Sequence, residues 1–340
     1  MAGHNMNPSR LGNLDVLRAL AAIAVCFYHF KRDSITSIGV LSSVSSYGYL
    51  GVDVFFVISG FVIPLMLLKM KFTFGDSGSF LLSRFLRLYP AYIAAGLLAV
   101  MLWLLSSRTP GFRGEAPSIS FSGFLSNSLL VCDFTGDEWI IPVFWTLAIE
   151  AQYYLLIAVS FPLLANESMR IRYGVLVAWI MAPLLADVGP TVFTWSALFS
   201  VGILCYLKAN RMIGTFVFWI FFSAACLVHA LTKGSISAVV GASTGLAILY
   251  FPEVRSRSLI WIGSISYSLY LLHPLVGGRV MNLAVRMPDN PIIQGIALLL
   301  GLLLAVVVSA IFFRLVERPS HELSRSIRHQ KGRAESDPGK

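Results

Sequence analysis

Leu14-Asp-Val-Leu-Arg-Ala-Leu-Ala-Ala-Ile-Ala-Val-Cys-Phe-Tyr-His-Phe30 is the stretch whose reading decides the fold. A bilayer core of about 30 Å needs about 20 largely apolar residues at a helical rise of 1.5 Å, and this run supplies nearly that. It carries no small-residue cleavage pattern and leads on toward a second apolar run, so it reads as a retained first span and not as a removed leader. Two groups that can carry positive charge, Arg18 and His29, lie inside it. Their eleven-residue spacing ends about 20° past three full helical turns, so they share one face about 16 Å apart. Asp15, three residues before Arg18, can pair with it and ease its burial. The plainer alternative has Arg18 snorkelling to the interface and His29 capping the far end.

The rest of the chain continues this pattern. Hydrophobic residues make up 56% of it and charged residues 13%, with a mean hydropathy of +0.75. Soluble domains carry about 25% charged residues, so a soluble core is excluded. Cys26, Cys132, Cys205 and Cys226 have no CxxC spacing, which predicts small core hydrophobes and neither a disulfide framework nor a metal site. The net charge of +9 has no soluble basic domain around it, so no nucleic-acid partner is expected.

Windows long and apolar enough to cross a bilayer fall near 14–31, 47–68, 88–106, 140–163, 172–187, 191–207, 212–231, 235–251, 259–277 and 291–313. The expected fold is therefore all-α, a polytopic transmembrane helical bundle of about ten spans. Of the 26 Lys and Arg residues, 19 fall on the side of the N-terminus and 7 on the other. By the positive-inside rule both termini of this multi-pass chain are expected to be cytoplasmic. The stretch 118–132 is too short and polar to span and is expected to be re-entrant or interfacial. Residues 11–322 read as one membrane domain and 323–340 as a short, charged, disordered cytoplasmic tail. No internal repeat is visible, which weakens a reading as an inverted-repeat transporter.

Several further polar residues stand in or beside these spans. Arg84 and Arg87 in Ser-Arg-Phe-Leu-Arg-Leu-Tyr-Pro face one way if helical, and two guanidiniums so placed suit a phosphate-rich ligand. An ordinary positive-inside anchor is the alternative. Glu150 in Phe-Trp-Thr-Leu-Ala-Ile-Glu-Ala-Gln-Tyr-Tyr lies inside an apolar span, where a carboxylate is costly and by default functional. Thr146, Tyr153 and Tyr154, three or four residues away, are expected on its face, and a structural pairing of Glu150 with a buried Arg is the competing role. Asp53 and Ser59 sit in Gly51-Val-Asp-Val-Phe-Phe-Val-Ile-Ser-Gly60, where small residues favour close helix packing over catalysis. His273-Pro274 reads as a proline-marked helix end with a hydrogen-bonded histidine.

In order along the chain stand Leu14-Asp-Val-Leu-Arg-Ala-Leu-Ala-Ala with Arg18 and His29, Val-Asp-Val-Phe-Phe-Val-Ile-Ser-Gly-Phe, Arg84 with Arg87, Phe-Trp-Thr-Leu-Ala-Ile-Glu150 and Ser-Tyr-Ser-Leu-Tyr-Leu-Leu-His273. This series resembles acyltransferase family 3, the integral-membrane O-acyltransferases of bacterial surface polysaccharides and related sugars, from about residue 11 to 322. The family commonly has serine at the position of Thr146, and some of its members append an extracytoplasmic hydrolase-like domain that is not expected here, so that either a periplasmic partner completes transfer or none is needed.

The resemblance implies transfer of an acyl group, most often acetyl, from cytosolic acyl-CoA to a hydroxyl of a glycan or lipid-linked sugar. It implies that Arg84, Arg87 and Arg18 hold the CoA phosphates, that His29 is the general base and that Glu150 orients it or binds the acceptor. Asp15, Thr146, Tyr153, Tyr154, Asp53, Ser59 and His273 are the expected supporting residues. No metal and no permanently bound cofactor are expected, and acetyl-CoA acts as donor substrate. Two rival readings stay open: a proton-coupled transporter or flippase of a glycolipid, and a succinyl-type transferase of the same family.

Overall fold

The computed structural model describes residues 8–30, 39–109, 120–185, 189–287 and 290–326, and among these every regular element is a helix. In chain order they are α1 (Pro8–Phe30), α2 (Gly39–Ser46), a 3-10 turn (Gly48–Leu50), α3 (Gly51–Lys69), α4 (Ser77–Ser107), α5 (Phe121–Leu129), α6 (Cys132–Thr135) and α7 (Trp145–Leu164). Then follow α8 (Met169–Leu185), α9 (Val192–Ala209), α10 (Thr215–Lys233), α11 (Ser235–Tyr250), α12 (Arg257–Ser264), α13 (Ser266–Ala284) and α14 (Pro291–Phe312), which runs into a π turn at Phe313–Glu317.

Seven helices among the described residues are long and apolar enough to cross a membrane, or eight if α12 and α13 count as one bent span. The remaining windows, 172–187 and 235–251, fold as the 17-residue α8 and the 16-residue α11.

Burial sorts the helices. In α3 and α9, 72% of the apolar window is buried, against 28% in α4 and α10, so α3 and α9 form the centre and the other two face outward. A helix that is apolar all round belongs in such a centre. Glycine lets the two approach: a Cβ at Gly60 would collide with the backbone carbonyl of Phe199, and one at Gly202 with that of Val57. The small residues of the Gly51–Gly60 block thus do the packing work expected of them. Gly60→Ala is expected to cost about 1–3 kcal/mol, because backbone and not a flexible side chain must move, and to lower the unfolding midpoint by several degrees in scanning fluorimetry of the purified protein.

Three expectations are corrected. The window 259–277 is not one straight span, since α12 and α13 meet at a 76° bend. Gly263 on α12 lies against the backbone of Asp15, so α12 crosses α1 while α13 turns away to pack along α14. His273-Pro274 does not end a helix, because α13 continues to Ala284. Proline is tolerated inside a buried span, where neighbouring helices and local adjustments make up for the lost backbone bond, and the histidine is hydrogen-bonded as expected, its ring donating to the Leu269 carbonyl. The irregular tail starts later than 323, as helix persists to Ser326, with Ser83 and Ser324 joined at 2.9 Å; 327–340 lie outside the described residues.

The polar stretch before α7 forms α5 and α6, pinned to α4 by the Tyr89 and Tyr92 hydroxyls, which donate to the Ser128 and Asn127 carbonyls at 2.8 and 2.7 Å. Beside them the Ser126 and Thr135 hydroxyls hold the Asp137 carboxyl below its ordinary range. All four cysteines are free thiols, with Cys26, Cys132 and Cys205 buried.

Candidate active site

Where α1, α3, α4, α7 and α13 converge with the π turn, they enclose a cavity of about 270 Å3. Its wall carries Asp15 and Arg18 from α1, Ser59 from α3, Arg84 and Arg87 from α4, and Thr146, Glu150 and Tyr154 from α7. Arg18 pairs with Asp15 at 3.0 Å, the i,i+3 contact expected from the spacing. Helix α4 runs unbroken through Arg84 and Arg87, so one face presents both. Arg84 is only 3% exposed, with its guanidinium 5.8 and 5.9 Å from the centres of the Phe80 and Tyr154 rings and a hydrogen bond to the Met66 sulfur. The quadrupoles of those rings help a buried cation. Arg87 Nε is buried with no partner among the described residues. Glu150 accepts the Tyr154 hydroxyl one turn along α7. One turn the other way, Thr146 Oγ1 donates to the Val143 carbonyl at 2.9 Å and meets the Tyr270 hydroxyl at 2.8 Å.

The cavity also holds residues that sequence reasoning passed over, namely Ser264, Ser266, Tyr267, Tyr270, Glu317 and His321. Glu317 is 2% exposed and sits on the π turn, a distortion that often marks functional positions. Its carboxylate accepts the Ser268 amide at 3.1 Å and the Ser268 hydroxyl at 2.5 Å, and lies 3.3 Å from His321. The signal was available: Glu317 follows the last apolar window much as Glu150 interrupts an earlier one, and Tyr267 and Tyr270 belong to the block quoted for His273.

His29 does not reach this cavity. It opens instead into a second one of about 600 Å3, lined by Tyr28, His29, Ser46, Ile141, Pro142, Pro274, Leu275 and Gly278. Because α1 is continuous, eleven residues of helix carry Arg18 and His29 to different chambers on the same side of one rod. The fully buried His273 ring stands 5.1 Å from the His29 ring. Its Nδ1 donates to the Leu269 carbonyl at 3.1 Å, which in the neutral ring leaves Nε2 as an acceptor, and Nε2 has no partner among the described residues. The Thr146–Tyr270 hydroxyl contact lies on the wall of the arginine cavity, and the Tyr270 ring stands 5.9 Å from that of His273.

Two expected residues lie elsewhere. Tyr153, about 100° round α7 from Tyr154, stacks on Phe199 at 4.1 Å in the core and donates to the Ser59 carbonyl at 3.4 Å. Asp53 accepts the Ser237 hydroxyl at 2.6 Å, and Ser237 meets His229 Nε2 at 2.7 Å, a separate buried network joining α3, α10 and α11. Beside the polar cavity an apolar pocket of about 240 Å3 shares Arg84, Leu88, Leu147, Tyr154 and Tyr267 with it.

A family model described as an acyltransferase domain matches residues 11–314. The chain is 26% identical over 315 residues to a Staphylococcus aureus protein named "Putative O-acetyltransferase SACOL0978", covering 76% of this chain and 49% of that protein. It is 23% identical over 365 residues to the peptidoglycan O-acetyltransferase OatA of Listeria monocytogenes, covering 90% of this chain and 55% of that one. A shorter stretch of 157 residues, 44% of this chain and 24% of its counterpart, is 30% identical to the O-acetyltransferase OatA of Staphylococcus aureus. The chain thus spans about half the length of the curated relatives it matches. No solved structure matches it.

Proposed function

The chain belongs to the acyltransferase domain family, and from that premise we propose that it is a membrane O-acyltransferase moving an acetyl group from acetyl-CoA to a hydroxyl of a glycan or lipid-linked sugar. The observation that carries this reading is the convergence of Arg18, Arg84 and Arg87 on one cavity beside Glu150, with His29 about three helical turns along α1 in a second. Three guanidiniums suit the CoA phosphates, since each makes charge-assisted forks to phosphate oxygens. His29 takes the proton from the acceptor hydroxyl as its oxygen attacks the acyl carbonyl. The thioester C–S bond then breaks, the CoA sulfur takes that proton back from His29, and CoA leaves as the thiol. The His273 ring, 5.1 Å from that of His29, backs and orients the imidazole by packing, and the acyl arm passes the Thr146–Tyr270 contact to reach it.

The proposal includes the topology read from charge: about ten spans in a bacterial inner membrane, with both termini and the arginine cavity on the cytoplasmic side. It makes α8 and α11 short spans supported by their neighbours. Purified protein in liposomes, supplied with radiolabelled acetyl-CoA and a glycan acceptor, is expected to release CoA and label the glycan. A protein that moves a glycolipid between leaflets without consuming acetyl-CoA is a flippase, and that result overturns the proposal. Arg87→Ala is expected to raise the KM for acetyl-CoA about tenfold to a hundredfold, the loss of one charged hydrogen bond of about 1.5–3 kcal/mol, with a smaller change in kcat. Initial rates over a range of donor concentrations check it.

A further inference from the structure

We infer that the ring of Tyr28 on the wall of the His29 chamber, with the Tyr49 ring beside it, forms a stacking platform for one sugar ring of the acceptor; this rests on the acyl-transfer reading and assigns its acceptor subsite. Tyr28 lines the chamber and is 38% exposed, while Tyr49 is 45% exposed. Their centroids lie 5.7 Å apart and their planes meet at 65°, an edge-on contact in which the rings form a corner and are not stacked. His29 stands 5.1 Å from Tyr28 with its plane turned by 83°. A pyranose resting its C–H face on Tyr28 therefore directs its ring hydroxyls edgewise toward the imidazole.

The corner is built by close backbone contact. A Cβ at Gly48 would collide with the Ala24 carbonyl, and one at Gly51 with the Ala21 carbonyl, so the 3-10 turn carrying Tyr49 is pressed onto α1 one turn before Tyr28. An exposed tyrosine pair near a span end also fits an aromatic membrane belt. A belt does not require one of its rings to line a cavity edge-on to a histidine, as Tyr28 does, whereas recognition of a ring bearing apolar C–H faces and polar edges does. An amphipathic aromatic surface of this kind, apolar in its face and polar at its rim, suits a sugar better than a phospholipid tail.

The test uses the full chain in phosphatidylcholine nanodiscs and saturation-transfer NMR with two probes, the pentasaccharides of β-1,4-N-acetylglucosamine and of α-1,4-glucose. Saturation of the C–H protons of at least one probe is expected with the unsubstituted protein. Tyr28→Ala is expected to weaken that binding about tenfold, and Tyr28→Phe, which keeps the ring face, to retain it. Tyr49→Ala provides a second reading should Tyr28→Ala not fold, as judged by its melting profile. No saturation from either probe, unchanged binding by the folded Ala variants, or loss in Tyr28→Phe overturns the platform. Release of CoA from acetyl-CoA by the unsubstituted protein, measured in parallel, reports on the acyl-transfer reading by itself.

Discussion

His29→Ala is expected to reduce acyl transfer by about 10²–10⁴-fold, the usual contribution of a general base, while the protein remains in the membrane at its normal level. The side chain is half-buried and faces an open chamber, so its removal leaves no unpaired buried charge and little core to collapse. The arginine cavity lies about eleven helical residues away, so the KM for acetyl-CoA should hardly move while kcat falls. Added imidazole should restore part of the rate, because the chamber of about 600 Å3 admits it. Rates measured with and without imidazole check both statements, and a His29→Ala protein acylating at the normal rate removes the base assignment.

Glu150→Ala is the second large effect, with a fall of at least about a hundredfold in kcat/KM, matching the upper range of a lost charge-assisted hydrogen bond near 3 kcal/mol. The substitution takes away the acceptor of the Tyr154 hydroxyl and a negative charge from a cavity that also holds Arg18, Arg84 and Arg87. Glu150→Gln separates the two losses, since it keeps an acceptor oxygen for Tyr154 and loses only the charge. If charge is what matters, Gln is as poor as Ala; if orientation of Tyr154 matters, Gln recovers most of the rate. Steady-state kinetics on the three proteins decide it, and an Ala variant of normal kcat/KM excludes Glu150 from the site.

Most of the polar cavity could be read from spacing along single helices. The contact of Asp15 with Arg18, the shared face of Arg84 and Arg87, and that of Thr146, Glu150 and Tyr154 all follow from three- and four-residue intervals. The same rule misplaced Tyr153, which is three residues from Glu150 yet lies on the side of α7 that stacks on Phe199. Periodicity says which residues share a stripe, but the neighbouring helix decides where the stripe ends. Glu317 and His321 were missed because they follow the last apolar run, and only the packing of the continuing helix beside α13 brings Glu317 to Ser268.

By itself the sequence determined the helical membrane class, the family and the list of ionisable residues worth testing, because hydropathy and i,i+4 geometry are local properties of one chain segment. Only the tertiary structure decided how those residues are grouped. It put Arg18 with Glu150 and Glu317, His29 with His273 and Tyr28, and Asp53 with Ser237 and His229. Such groupings depend on which helices glycine allows to touch, as at Gly60 with Gly202 and at Gly263 with Asp15, and on where α12 and α13 bend. Contacts between residues tens to hundreds of positions apart have no period to announce them. They arise from the way the rods pack.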